Sequence, residues 1–321
     1  MRRALQLAAS VISMLSASTV HAAMYALIVG GLGGEPEYEK QFRLQTDELA
    51  GAMKHLDEDA HVTSLSGEQA TAAGLRHELN KTAELAADND RVVLMLVGHG
   101  SFDGEEYRFN IPGPDITGSE LAALLNRIKA RDQLVVVATS ASGGALARLQ
   151  THGNERRRIV ITATKSGAER NATRFGEQWV RALTTKEADV DKDDWVTVRE
   201  AYEYAERKVA DAYKSQAALA TEHARIDDGA SLATRLPLAR LGAAKIMPTD
   251  PELRQLIAER LRLERAVDAV KTRKEQLDDA QYYDELEKVL VDLARTQVRI
   301  DSRQAVLEQS AAGERKGGPK S

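Results

Sequence analysis

An α/β fold with a mostly parallel central sheet is what this sequence predicts, and three observations predict it. Short β-rich runs alternate with helix-like segments along the first two thirds of the chain, the pattern of strand–helix–strand units. Two of the runs, "RVVLMLV" and "LVVVA", are continuously apolar, as expected of central strands covered on both faces. From "MPTDPELR" onward the style changes to long stretches of apolar residues at 3–4 spacing, which predicts a helical hairpin after the sheet domain.

The elements follow in order. Arg2 and Arg3 precede the moderately apolar run "ALQLAASVISMLSASTV", and "VHA" and "HAA" then offer small-residue cleavage sites. Residues 1–23 are therefore expected to be a signal peptide, with the mature chain starting near Ala23 or Met24 and exported to the periplasm or beyond. A buried first helix or an uncleaved anchor are the competing readings. No later run is long enough to span a bilayer. Strands are expected at Tyr25–Val29, His61–Leu65, Arg91–Val97, Gln133–Ala138 and Arg158–Thr162. Helices are expected near Tyr38–Leu56, Glu68–Ala87, Ser119–Ala130, Gly144–Gln150, Phe175–Leu183 and Val198–Thr221. Together these form an α/β domain over residues 24–247.

A helical hairpin or coiled coil is expected over residues 248–310, followed by the tail "AAGERKGGPKS", which is disordered in composition. Thr249 or Asp250 can cap its first helix, and Pro251 suits the first turn. Leu253, Leu256, Leu263, Val267, Val270 and Leu277 form the first apolar seam, with Arg260 and Lys274 in the slots that break it. After "DDAQ", Leu286, Leu290, Leu293, Ile300 and Leu307 form the second, with Gln297 and Gln304 among them. One long amphipathic helix packed on the domain is the alternative.

Composition narrows the function. The 321 residues are 43% hydrophobic and 29% charged, a globular balance, with a net charge of −5. No basic face is available for nucleic acid. There is no cysteine, which excludes disulfides, a thiol nucleophile, cysteine-ligated zinc and iron–sulfur clusters.

Two strand ends carry the candidate chemistry. Strand three runs into "LVGHGSFDG" and the next into "ATSASGG". Neighbouring parallel strands would deliver His99 and Ser140 to the same carboxyl edge, where such folds bind ligands. His99 is then a candidate base, Ser140 a candidate nucleophile, and the Gly100 N–H a candidate oxyanion donor together with the Ser140 N–H.

At these residues the chain resembles the caspase and legumain-type cysteine peptidases. "HGS" (His99, Gly100, Ser101) is similar to their histidine motif. "SASG" (Ser140 to Gly143) is similar to their cysteine loop, with Ser140 at the cysteine position. "YALIVGGLGGEPEYEKQF" resembles the first strand and loop of bacterial proteins of this type. The resemblance covers Met24 to Asp228 and implies a caspase–hemoglobinase-like mostly parallel sheet with helices on both faces. It also marks departures. A hydroxyl is not ionised near neutral pH as a thiol partly is, so serine needs a positioned base. The acidic residues that legumains carry beside the histidine and cysteine are replaced by Gly98 and Ala141. Three readings stay open: a degenerate pseudo-peptidase that binds or scaffolds a peptide or protein partner, an active hydrolase using a Ser140–His99 dyad, and a structural envelope protein acting through its hairpin. The helical hairpin suits a partner or self-association in the first two.

A second constellation is "DVDKDDWVTVRE". Asp189, Asp191, Asp193, Trp195 (through its carbonyl), Thr197 and Glu200 occupy positions 1, 3, 5, 7, 9 and 12 of an EF-hand-like loop, so Ca2+ is the expected ligand. The departure is Asp194 where a glycine makes the sharp turn. The competing reading is a capping box, "TVRE", formed by Thr197 and Glu200 at the start of the next helix. "GGLGGEP" lacks the last glycine of a dinucleotide fingerprint, because Pro36 stands there.

Overall fold

β-Branched and aliphatic runs bounded by glycine and polar residues become strands, and the computed structural model places all five expected ones. It describes residues 22–57, 60–151, 157–229, 231–241, 250–272, 274 and 277–316. The expected leader up to residue 21, the junction at 248 and the last residues of the tail lie outside these. The chain divides into two units, residues 1–241 and 242–321.

In the first unit the order is β1 (Met24–Gly30), α1 (Pro36–Leu56), β2 (His61–Leu65), α2 (Ala72–Leu85), β3 (Arg91–Gly98), β4 (Gly100–Phe102), β5 (Tyr107–Phe109), β6 (Ile116–Thr117), α3 (Gly118–Asn126), β7 (Asp132–Thr139), α4 (Leu146–Leu149), β8 (Arg157–Thr162), α5 (Phe175–Ala182), β9 (Trp195–Thr197), α6 (Val198–Ser215), β10 (Arg225–Asp227) and β11 (Pro237–Arg240). The main sheet runs β10-β8-β7-β3-β1-β2. β1, β2, β3, β7 and β8 are parallel, and β10 closes one edge antiparallel to β8. β4, β5 and β6 form a small antiparallel sheet, and β9 pairs with β11.

The continuous apolar runs are explained by burial on both faces. Val93, Met95, Val136 and Ile161 pack with Leu49 and Met53 of α1, Trp179 of α5 and Tyr202 of α6. Their neighbours Leu94, Leu96, Val135 and Val160 pack on the opposite face with Leu75 and Leu79 of α2 and Leu121 and Leu125 of α3. α6 ends at Ser215, short of the expected Thr221, and the 67–87 segment starts as a single 3-10 turn before α2.

The second unit is a hairpin of two antiparallel helices, α7 (Pro251–Thr272) and α8 (Asp279–Lys316). Asp250 caps α7 by accepting from the Leu253 N–H at 2.8 Å, and it also takes the Arg303 guanidinium of α8 at 2.6 Å. Leu253, Leu256, Leu263, Val267 and Val270 are buried as the spacing predicts. The polar slots meet one another: Arg260 donates to the Gln297 side chain at 2.8 Å. Leu290 departs from the expected seam. It is 44% exposed, because the buried face of α8 runs through Tyr282, Thr296 and Ile300 instead. α8 also continues to Lys316, into the stretch read as a tail.

Candidate functional site

β3 and β7 are adjacent and in register, with Gly98 opposite Thr139, so His99 and Ser140 leave the sheet side by side. Gly98 has φ +150°, and a Cβ there would lie 3.2 Å from the Gly31 backbone, so only glycine suits this exit. The two side chains then part. The Ser140 hydroxyl accepts a hydrogen bond from the Gly100 N–H at 3.1 Å and donates one to the Gly100 carbonyl at 3.0 Å. The N–H expected to serve an oxyanion is thus engaged by the hydroxyl itself. Ser140 is 3% exposed.

His99 lies among aromatic rings of α1. Its ring is 5.0 Å from Tyr38 and 5.1 Å from Phe42, edge-on to both. Among the described residues no hydrogen bond joins His99 to Ser140. Burial holds the imidazole pKa below its ordinary value, against the opposing pull of the Gly33 backbone and the Glu35 carboxylate.

The loops around Ser140 are pinned. Ala141 adopts a left-handed backbone, φ +54°, and donates its N–H to the Glu169 carbonyl at 2.7 Å. Thr164 joins the same loop through Ser142 and the Gly143 N–H, at 3.2 and 2.9 Å. The buried Tyr107 hydroxyl bonds Thr139 at 2.7 Å. Phe102 of β4 seats its ring where Gly144 and Gly167 lack side chains, since a Cβ on either would overlap it. Loop Lys165–Glu169 is in turn tied to the segment before β10: His223 Nδ1 meets Glu169 Oε1 at 2.6 Å, and Glu222 accepts from the Arg174 and Phe175 N–H groups at the start of α5. None of Phe102, Thr164, Glu169, Glu222 or His223 carries a motif that spacing could reveal. The glycines Gly144 and Gly167 were the available signal.

The acidic loop brings three of its expected residues together. One carboxylate oxygen each from Asp189, Asp191 and Asp193 lies within 4.8 Å of the others. Lys192 and Asp194 have φ +62° and +66°, so the sharp turn at Asp194 is made without glycine. Asp189 is buried and accepts from the Asp193 and Asp194 N–H groups at 3.2 and 3.1 Å. Asp193 has its pKa raised, first by burial and then by Asp191, Asp189 and Glu200. The capping box also forms: Glu200 accepts from the Thr197 N–H and hydroxyl at 2.9 and 2.8 Å, and its other oxygen accepts from the Val190 N–H at 2.9 Å. Trp195 donates its N–H to Asp193 at 2.8 Å and stacks under Arg240, 5.0 Å from the ring. Both Glu200 oxygens are thus engaged by the N–H groups of Val190 and Thr197 and the Thr197 hydroxyl.

No known family profile matches this chain. No curated protein matches it either. Among solved structures it is similar to protein GSU0716 from Geobacter sulfurreducens, at 12% identity and TM-score 0.44, over 64% of this chain and 93% of that one. It is similar to caspase-1 from Spodoptera frugiperda at 12% identity and TM-score 0.44, over 65% of this chain and 89% of that one. It is also similar to Raptor from Chaetomium thermophilum at 13% identity and TM-score 0.36, over 50% of this chain but 17% of that one.

Proposed function

We propose that this chain is an exported, caspase–legumain-like peptidase-fold protein that has lost catalysis and binds or scaffolds a peptide or protein partner. The single observation that carries the reading is the double hydrogen bond between the Ser140 hydroxyl and the backbone of Gly100. A serine nucleophile needs a base on its hydroxyl and free N–H groups beside it. Here the proton of the hydroxyl points to a carbonyl, and the Gly100 N–H points back at the hydroxyl. His99 packs edge-on against Tyr38 and Phe42 and, among the described residues, makes no hydrogen bond to Ser140. In the same reading α7 and α8 provide self-association, for which Leu290, Val291 and Val298 stand exposed on α8. Asp189, Asp191 and Asp193 are proposed to take Ca2+, supported by their convergence.

The placement of His99 and Ser140 at one sheet edge keeps the hydrolase reading in contention, and a covalent probe separates the two. Purified mature protein is treated with a fluorophosphonate, with Ca2+ present, beside folded Ser140→Ala and His99→Ala variants. The expected result is no labelling of any of the three. Labelling of the wild type that both substitutions abolish would overturn the non-catalytic reading.

A further inference from the structure

We infer that the chain is cut between Ala22 and Ala23, and that the α-ammonium group created on Ala23 is the ion-pair partner of the buried Asp90 carboxylate. The inference rests on the export reading of residues 1–22 and names its exact bond.

Two independent observations meet at this bond. In the sequence, a cut after Ala22 places Val20 and Ala22 at the two positions where signal processing requires small residues, whereas a cut after Ala23 places His21 at the first of them. In the structure, the Ala23 nitrogen donates to Asp90 Oδ1 at 2.8 Å. The other oxygen of Asp90 accepts the Ala87 N–H at 2.8 Å. Asp90 is only 5% exposed, and among the described residues no cationic side chain forms an ion pair with it. A carboxylate this buried calls for a positive partner.

Cleavage supplies one without moving an atom of the fold. Water adds across the Ala22–Ala23 amide, the C–N bond breaks, Ala22 leaves as a carboxylate, and the Ala23 nitrogen takes up protons to become an ammonium at neutral pH. That nitrogen already sits at hydrogen-bond distance from Asp90. Ala23 is held on its other side as well, because its carbonyl accepts the Arg91 N–H at 2.9 Å. Ala22, just outside this grip, is exposed. The cut thus falls one residue before the boundary of 1–23 drawn from the sequence. It converts an amide-to-carboxylate hydrogen bond into an ion pair between two charged groups.

The first test is the intact mass of the protein recovered from an exporting host. The expected N-terminus is Ala23. A retained leader would overturn both this inference and the export reading, while a chain starting at Met24 or elsewhere would overturn this inference alone. The second test compares the purified chain starting at Ala23 with the same chain carrying Gly-Ser ahead of it, each with and without Asp90→Asn. The extension is expected to lower Tm by about 4 °C with Asp90 present and by much less in the Asp90→Asn background. An equal loss in both backgrounds would overturn the ion pair.

Discussion

The end of β7 and the loop before β9 are both polar turns, yet they treat their polar groups in opposite ways. Around Ser140 each hydroxyl has a protein partner: Ser140 with Gly100, Thr139 with Tyr107, Ser142 with Thr164. Around Asp193 the carboxylates crowd one another, and burial first, then the charges of Asp191, Asp189 and Glu200, raise its pKa against the Trp195 N–H. The first region is finished by the fold itself. In the second, three carboxylates converge with only backbone N–H groups donating to Asp189 and Asp193. The difference teaches that resemblance of motif and readiness for a ligand are separate properties. The loop pair that resembles a catalytic site is closed, and the one with converging carboxylates lies elsewhere.

Four measurements sharpen or break that contrast. Gly100→Ala should have the largest effect, because its Cβ would stand 2.6 Å from the Tyr107 ring and 2.7 Å from the Ser140 carbonyl. A loss of about 3 kcal/mol in urea unfolding is expected, and an unchanged midpoint would show that the edge is looser than its contacts. Ser140→Ala leaves the Gly100 N–H and carbonyl without their partner, at a cost of about 2 kcal/mol. A neutral result would mean that water reaches this edge. Ca2+ should stabilise the wild type by about 1.4 kcal/mol at ten times its dissociation constant and should do nothing for Asp189→Asn, as read by thermal unfolding. The smallest effect concerns pH. His99 has a folded pKa below its unfolded value of 6.5, so the unfolded state binds more protons and stability falls as the pH drops from about 6.5 toward the folded pKa. His99→Phe should flatten that part of the pH profile. Asp193 has the opposite sign: its raised pKa disfavours the charged folded form, so its contribution improves as the pH falls through the folded pKa toward the unfolded value of 3.8.

The sheet was legible because strands covered on two faces must be largely apolar, and the runs "RVVLMLV" of β3 and "LVVVA" of β7 are. β4, β5 and β6 escaped because strands of two or three residues leave no period to detect. Leu290 was misplaced for a related reason. α8 has apolar residues on two faces, and the buried seam is marked partly by Thr296, which hydropathy does not count. At the site, the spacing correctly brought His99 and Ser140 to one edge. The partner of Ser140 is a backbone, however, and backbone atoms have no letter in the sequence.

The Ser140 hydroxyl sits just where β3 and β7 cease to pair, one residue beyond Gly98 and Thr139. By donating to the Gly100 carbonyl and accepting from the Gly100 N–H, the side chain reproduces the donor and acceptor of a main-chain rung. It lengthens the ladder by a step that the diverging backbones could not make. A short hydroxyl is suited to such mimicry, since it donates and accepts strongly from one atom, whereas a thiol does both weakly. Serine at this position is therefore what a sheet would select, quite apart from what a nucleophile would require.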